Sequence, residues 1–283
     1  MTPSMHNSIA AARSRLMFGL CALFTAAILA LLVLIAGSTI WIGAHSLNWD
    51  FFRLNPIPVG MERAPGGMRN AMIGTAILVG LASLIAIPIG LLTGVYLAEY
   101  DVGSRLAAPV RFVCDVLAGV PSIVVGILGY ELIVRPIGNY NGWAGAAALA
   151  FIMIPIIART AEEMLRLVPA SYREASMALG AGKARTIFHI VIPAAAGTVI
   201  TGIMLAVARA AGETAPLLFT ALGSRLLSIN PNQPFPSLTV QIFDYATGPN
   251  RAEHSLAWAG ILVLVSLIFV LNLGVRLASR ARR

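Results

Sequence analysis

Five stretches of this chain, residues 16–49, 70–98, 136–158, 186–208 and 254–275, contain no Asp, Glu, Lys or Arg. A helix rises 1.5 Å per residue, so about 20 consecutive apolar residues cross the hydrocarbon core of a bilayer. Four of the runs meet that length directly, and the fifth continues past two charged residues. Charged side chains make up 11% of the sequence, against about 25% in soluble domains. That is too little polar surface to keep 283 residues in water. The chain reads as an all-α, polytopic membrane protein.

Six transmembrane helices are expected. They cover residues 17–43, then about Ile73–Ala98, Phe112–Val134, Trp143–Ile157 with room to continue to Leu165, Ala195–Leu222 and Ser255–Leu277. Asp115 and Glu131 fall near the ends of the third, where an interfacial position suits them. An even count puts both termini on one side. Thirteen of the 20 Lys and Arg residues then share that side and six lie opposite, with Arg209 inside a span. The positive-inside rule places the richer side in the cytoplasm. Residues 1–16 become a cytoplasmic tail, and 44–69 an irregular extracytoplasmic loop with Pro56, Pro58, Pro65 and Gly66-Gly67. Residues 70–280 form the remaining transmembrane domain. A second outer loop, 223–256, is proline-rich with room for a short helix over Leu238–Ala246. Pro88, Pro121 and Pro155 fall inside spans and should kink them. The first apolar run is too long for the core of a signal peptide and lacks a cleavage signature, so it should remain as an anchor.

The formal charge of +8 and pI near 10.3 would suit nucleic-acid binding, but the arginines sit mostly at the ends of apolar runs. The lipid bilayer, with no nucleic acid, is the expected partner of that charge. Cys21 and Cys114 are far apart and match no ligand spacing. The four histidines do not cluster, and no Ser/His/Asp arrangement occurs. No catalytic residue, metal site or cofactor is expected.

The segment Arg173–Pro193 holds the only lysine of the chain in Gly180-Ala-Gly182-Lys183. A phosphate-binding loop would need a glycine at position 177 and a hydroxyl after the lysine. Met177 and Ala184 stand there, and no strand leads in. Read as helices, Ser171 and Glu174 have capping-box spacing, Gly180 suits a C-terminal cap, and Lys183 opens a second helical stretch that Pro193 ends. On these grounds alone the segment could be an amphipathic linker lying on the membrane surface.

Arg209 and Glu213 stand about halfway along the fifth span, four residues apart and so on one helical face. A charge at mid-bilayer costs about 2.5–3.5 kcal/mol on insertion scales. It therefore faces protein or an aqueous path. Two readings stay open: a self-neutralising ion pair, or an anion path lined by Arg209, whose planar fork suits phosphate. In the second, Glu213 tempers the charge so that the ion can leave, and Thr214 adds a hydroxyl.

Glu174-Ala175-Ser176, three residues, Gly180, nine residues, then Ile190-x-Ile192-Pro193 resembles the Glu-Ala-Ala loop of permeases in ATP-binding-cassette (ABC) importers. Ser176 replaces the third position of the pattern and Ile192 a leucine, with spacing intact. The resemblance implies that residues 166–193 are a cytoplasmic coupling loop that docks on an ATPase subunit through Glu174, Ala175, Gly180 and Pro193. "ARAAGETAPLLFTAL", Ala208 to Leu222, is similar to the fifth-span signature of the phosphate branch of that family. The likeness covers roughly residues 70–280. It implies a bacterial inner-membrane permease that forms a path for inorganic phosphate with a second, homologous permease. Two cytoplasmic ATPase subunits and an extracytoplasmic phosphate-binding protein would complete the assembly, with ATP hydrolysis on the ATPases. The rivals are a permease for another oxyanion, such as sulfate or molybdate, and a secondary anion transporter that would leave the loop without a purpose.

Overall fold

A computed structural model describes residues 3–56, 66–100 and 105–280. Pro58 and Pro65, named above, lie outside them. The helices are α1 (Pro3–Ser46), α2 (Trp49–Arg53), α3 (Arg69–Glu99), α4 (Ala107–Gly119), α5 (Ser122–Gly129), α6 (Arg135–Ile137), α7 (Gly142–Arg166), α8 (Ala170–Ala178), α9 (Lys183–Thr186), α10 (Ile192–Ala211), α11 (Ala215–Thr220), α12 (Leu238–Thr247) and α13 (Arg251–Arg280). The described residues include no β-strand.

Among the described residues, five helical stretches are long and apolar enough to cross a membrane: Arg13–Ser46, Arg69–Glu99, Gly142–Arg166, Lys183–Ala211 and Arg251–Gly274. The expected third span is a bent pair, Ala107–Gly119 and Ser122–Ile137, meeting at 102°. The bend falls at Pro121, which cannot donate to the turn before it.

The most extensive packing is α3 against α7. Small residues make it possible. A methyl group added at Gly90 would lie 2.8 Å from Ile157 Cβ, and one at Gly94 would lie 2.5 Å from Ala161 Cβ. Glycines four apart let two membrane helices approach closely enough for dispersion to hold them, as the absence of a hydrophobic drive in lipid requires. The paired positions 90 with 157 and 94 with 161 rise together, so α3 and α7 run parallel. The chain must therefore return between them, and the bent pair does so. Asp115 meets Arg159 low on α7, and Gly129 lies beside Ala148 near its start. α10 runs back up α7, with Gly202 against Thr160, and α13 descends from Gly260 beside Met68 to Ile268 beside Gly212. α1 ascends along α13, Gly43 meeting Trp258 and Leu262. Six passes result. The start of α1 and the end of α13 share the end of the bundle that carries α8.

Two π-helical turns, Tyr130–Val134 and Ile187–Val191, share one cause. In each the next residue donates five back, Arg135 to Tyr130 and Ile192 to Ile187, and a proline follows, Pro136 or Pro193. The missing proline N–H breaks the regular ladder, and a wide turn re-pairs the neighbouring amide. Pro193 therefore does not end the helix as expected. Lys183–Ala211 is one continuous span.

Replacing Gly94 by Leu should force α3 and α7 apart at a cost of about 1–3 kcal/mol. Thermal melting of the purified protein in detergent should show the loss, and Gly80→Leu, where added atoms meet nothing within 4 Å, should melt as wild type.

Candidate functional site: a charged break in the bundle and a capped helix at its end

The expected fifth span, Ala195–Leu222, is two helices with a break between them. α10 stops at Ala211, where Gly212 N–H turns back to Arg209 O at 3.0 Å and Glu213 N–H to Ala210 O at 3.2 Å. α11 restarts at Ala215, with Pro216 in its first turn. Thr214 carries the restart through its carbonyl, which accepts from Leu217 and Leu218 at 3.1 and 3.2 Å. Its side chain makes no capping bond. Thr239 on α12 donates its hydroxyl to Glu213 O at 2.9 Å, tying the break to the outer segment.

The break lies at mid-depth. Gly212, at the break, lies beside Ile268, well inside the membrane-crossing stretch Arg251–Gly274 of α13. Arg209 Nε stands 3.5 Å from Glu213 Oε1. Glu213 therefore reaches its partner across a helix end, not along one continuous helical face. The Arg209 side chain is 54% exposed and the Glu213 side chain 15%. A cation in the last turn of a helix also faces that helix's unpaired carbonyls, which favours positive charge there. The arrangement presents a guanidinium with donors to spare beside a loosely held carboxylate, at the level where a membrane helix would otherwise be apolar.

The helix of the Glu-Ala-Ala-like segment, α8, sits at the opposite end of α10. α8 begins at Ala170 with Pro169 as its N-cap, two residues earlier than a Ser171 cap requires. Ser171 is inside the first turn, so the expected capping box with Glu174 does not form. The far end is as read from sequence. Gly180 has φ +84, its N–H bonds Met177 O at 2.9 Å, and Ala181 N–H bonds Ser176 O at 3.2 Å. Those two bonds are a Schellman cap, which needs a left-handed residue. Glu174 and Ala175 are exposed. Ser176 is buried, hydrogen-bonded to Thr186 at 2.8 Å. Leu179 is 90% exposed, and Tyr172 and Met177 are exposed with it. Pro193 lies a full π turn away, inside the span.

Arg173, unnoticed in the sequence, fixes α8 to the bundle. Its guanidinium holds both oxygens of Glu99 at the end of α3, the shortest contact 2.6 Å. It also donates to Leu165 O and Val168 O at 2.9 and 2.6 Å. Lys183 stacks its ammonium over Tyr100, 4.2 Å from the ring centre. Charges at Glu99 and Arg173, each next to a span end, were the available signal, but nothing in the sequence pairs positions 74 apart.

With the geometry in place, residues 86–283 match the family described as binding-protein-dependent transport system inner membrane component. The chain belongs to this family. It is 46% identical over 235 residues to a Haemophilus influenzae protein named phosphate transport system permease protein PstA, spanning 83% of this chain and 82% of that one. It is 39% identical over 228 residues to the PstA 1 permease of Mycobacterium tuberculosis, covering 78% and 74%. In fold it is similar to a chain of the MetNI methionine ABC transporter solved in inward-facing conformations, with a TM-score of 0.62 at 18% identity over 76% of this chain and 96% of that one. The fold is that of ABC importer permeases, and the protein is a multi-pass membrane protein.

Arg173→Gln should strip α8 of its tie to Glu99 and of two carbonyl contacts. Breaking a buried pair on one side costs about 3–5 kcal/mol. Amide hydrogen exchange over residues 170–182 should accelerate, while exchange in α3 and α7 above Ala158 stays slow; unchanged protection of α8 would show that Arg173 does not anchor it.

Proposed function

We propose that this chain is the transmembrane permease subunit of an ATP-driven importer for inorganic phosphate, with Arg209 as the cation that the passing anion meets. The observation that carries the reading is the mid-depth break, where a half-exposed guanidinium is held only loosely by its own acid. Relatives at 39–46% identity that bear the phosphate permease name support it. Arginine binds phosphate through two parallel donors, and a 3.5 Å pair can open to admit it. Glu213 competes for the same guanidinium and so keeps binding weak enough for release. Thr214 follows Glu213 directly, and its hydroxyl, which makes no capping bond, is offered to the ion.

The chain carries no catalytic role in this reading; ATP is hydrolysed on two cytoplasmic ATPase subunits, and a second, homologous permease completes the path. An extracytoplasmic phosphate-binding protein delivers the ion. Support for the ATPase contact is the α8 surface, where Leu179, Tyr172 and Met177 stand exposed beside Glu174 and Ala175 on a rigidly capped turn. Support for cytoplasmic termini is the excess of Arg and Lys at the end of the bundle that carries α8.

Phosphate uptake by assembled complexes tests the role of Arg209. Arg209→Gln should abolish most uptake, and Arg209→Lys should keep part of it, since an ammonium retains charge but loses the fork. The double variant Arg209→Gln with Glu213→Gln should still fail. Full recovery in the double variant would make the pair structural, because its only fault would have been a stranded Glu213. Competition by sulfate or molybdate as strong as by phosphate would reassign the substrate.

Gly180→Val places a β-branched residue at a left-handed φ, which such residues rarely adopt. The variant should reach the membrane in normal amount yet retain little ATPase on co-purification, as should Glu174→Ala to a lesser degree. Wild-type ATPase yields from both would remove the docking role.

A further inference from the structure

At the low end of α7 lies a second charged network with no part in the site above. Glu162 is 2% exposed and is met by three arginines. Arg111, from α4, brings Nε to 2.9 Å and Nη2 to 2.8 Å of Oε1. Arg159 donates to Oε2 at 2.6 Å, and Arg166 Nη2 stands 3.0 Å from Oε1. Arg159 also holds Asp115 of α4 at 2.9 Å, and Arg166 donates to Leu97 O at the end of α3. A single carboxylate thus joins three helices.

The join matters most for α4. That helix buries only Ala107 and Cys114, too little apolar area to fix it on α7 by itself. Its attachment is ionic and two-pronged, Arg111 to Glu162 and Asp115 to Arg159. A buried carboxylate must keep its partners or pay for desolvation, which gives the clamp one geometry. From α4 the contacts continue upward. α5 approaches α11 so closely that a methyl at Gly126 would lie 2.8 Å from Pro216 Cα, and one at Gly129 would lie 2.8 Å from Thr220 Cγ2. α11 is the helix that restarts just after Glu213. Below, Arg173 ties α8 to Leu165 O, three residues past Glu162.

We propose that Glu162 is a positioning residue that makes α4 one rigid body with the end of α7 and with α8. A displacement of α8 then moves the bent α4–α5 pair and, through α11, the break that carries Arg209. The proposal rests on the importer reading only where uptake is measured. Physical continuity alone does not demonstrate coupling, so the decisive measurement follows the two ends of the clamp.

Spin labels at the exposed positions Val113 on α4 and Leu167 beyond α7 would report their separation in the assembled complex, with and without ATP. The native clamp should give one narrow separation in both states. Glu162→Gln should broaden it and should lower phosphate uptake per ATP hydrolysed about tenfold, the size of a typical coupling free energy between sites. Arg111→Gln should do the same, and the double variant should be no worse than either single one, as residues acting through one contact are not additive. The proposal is overturned if Glu162→Gln keeps the native separation, if its uptake per ATP equals wild type, or if the two losses multiply. Should Glu162→Gln fail to accumulate, Arg111→Gln alone carries both readouts with the same outcomes. A wild-type complex that takes up no phosphate would remove the importer reading, while the label separations would still decide the clamp.

Discussion

The close parallel contact of α3 with α7 is what the remaining structure hangs on. In lipid no hydrophobic gain accrues from burying one apolar helix against another, so association depends on close dispersion contact and on the few polar groups present. Gly90 and Gly94 provide that contact against Ile157 and Ala161. Leu78, Ala82 and Ala86 continue it above, with Leu149, Ala150 and Met153. α10, α11 and α4 then all use α7 as their support. Because the pair is parallel, the intervening chain has to cross back, and a segment too polar and too interrupted for a straight span is obliged to do so as two bent pieces.

Backbone accounting explains where that bundle departs from regular helix. Proline removes a donor, and in a low-dielectric surround the orphaned carbonyls need another partner. At Pro136 and Pro193 the chain widens by one residue and keeps going. At Pro121 it bends by 102°. At Gly212 it stops, and the restart at Ala215 is also proline-assisted. The last case differs because a charged pair sits on it. A helix end at mid-depth exposes carbonyl dipoles, and Arg209 in the last turn complements them, so the break and the arginine stabilise each other.

Much of this was legible in the sequence. Charge-free runs located the apolar passes, and Arg209 with Glu213 stood out as charges where lipid permits few. The helix over Leu238–Ala246 and the cap at Gly180 were also readable, since turn chemistry there is local. What failed was non-local or ambiguous. Apart from Arg209 and Glu213 the stretch from Ala195 to Leu222 reads as one apolar span, which hid the break at Gly212. Ser171 and Glu174 have capping-box spacing, yet Pro169 starts the helix two residues sooner by fixing φ and offering its carbonyl to Tyr172. Pro193 looked like a stop because a π turn leaves no signature in composition. Glu162 and Glu163 are adjacent and alike in sequence, and only the packing of α4 decides that the first is buried and the second exposed.

The two ionic systems differ in a way that assigns them different work. Glu162 and the Glu99–Arg173 pair are nearly dry on the acid side, multiply bonded and short, down to 2.6 Å. Opening either would strand a desolvated carboxylate, so these pairs hold one geometry and serve as joints. The Arg209–Glu213 pair is single, 3.5 Å long and half open on the arginine side. Separating it costs far less, because the guanidinium already keeps much of its solvation and an entering anion would replace the carboxylate with a better-matched partner. On the proposed importer reading, a bundle held by its tight pairs, with the longest ion pair of its described residues at the helix break, has its most easily parted charge where a crossing ion would need it.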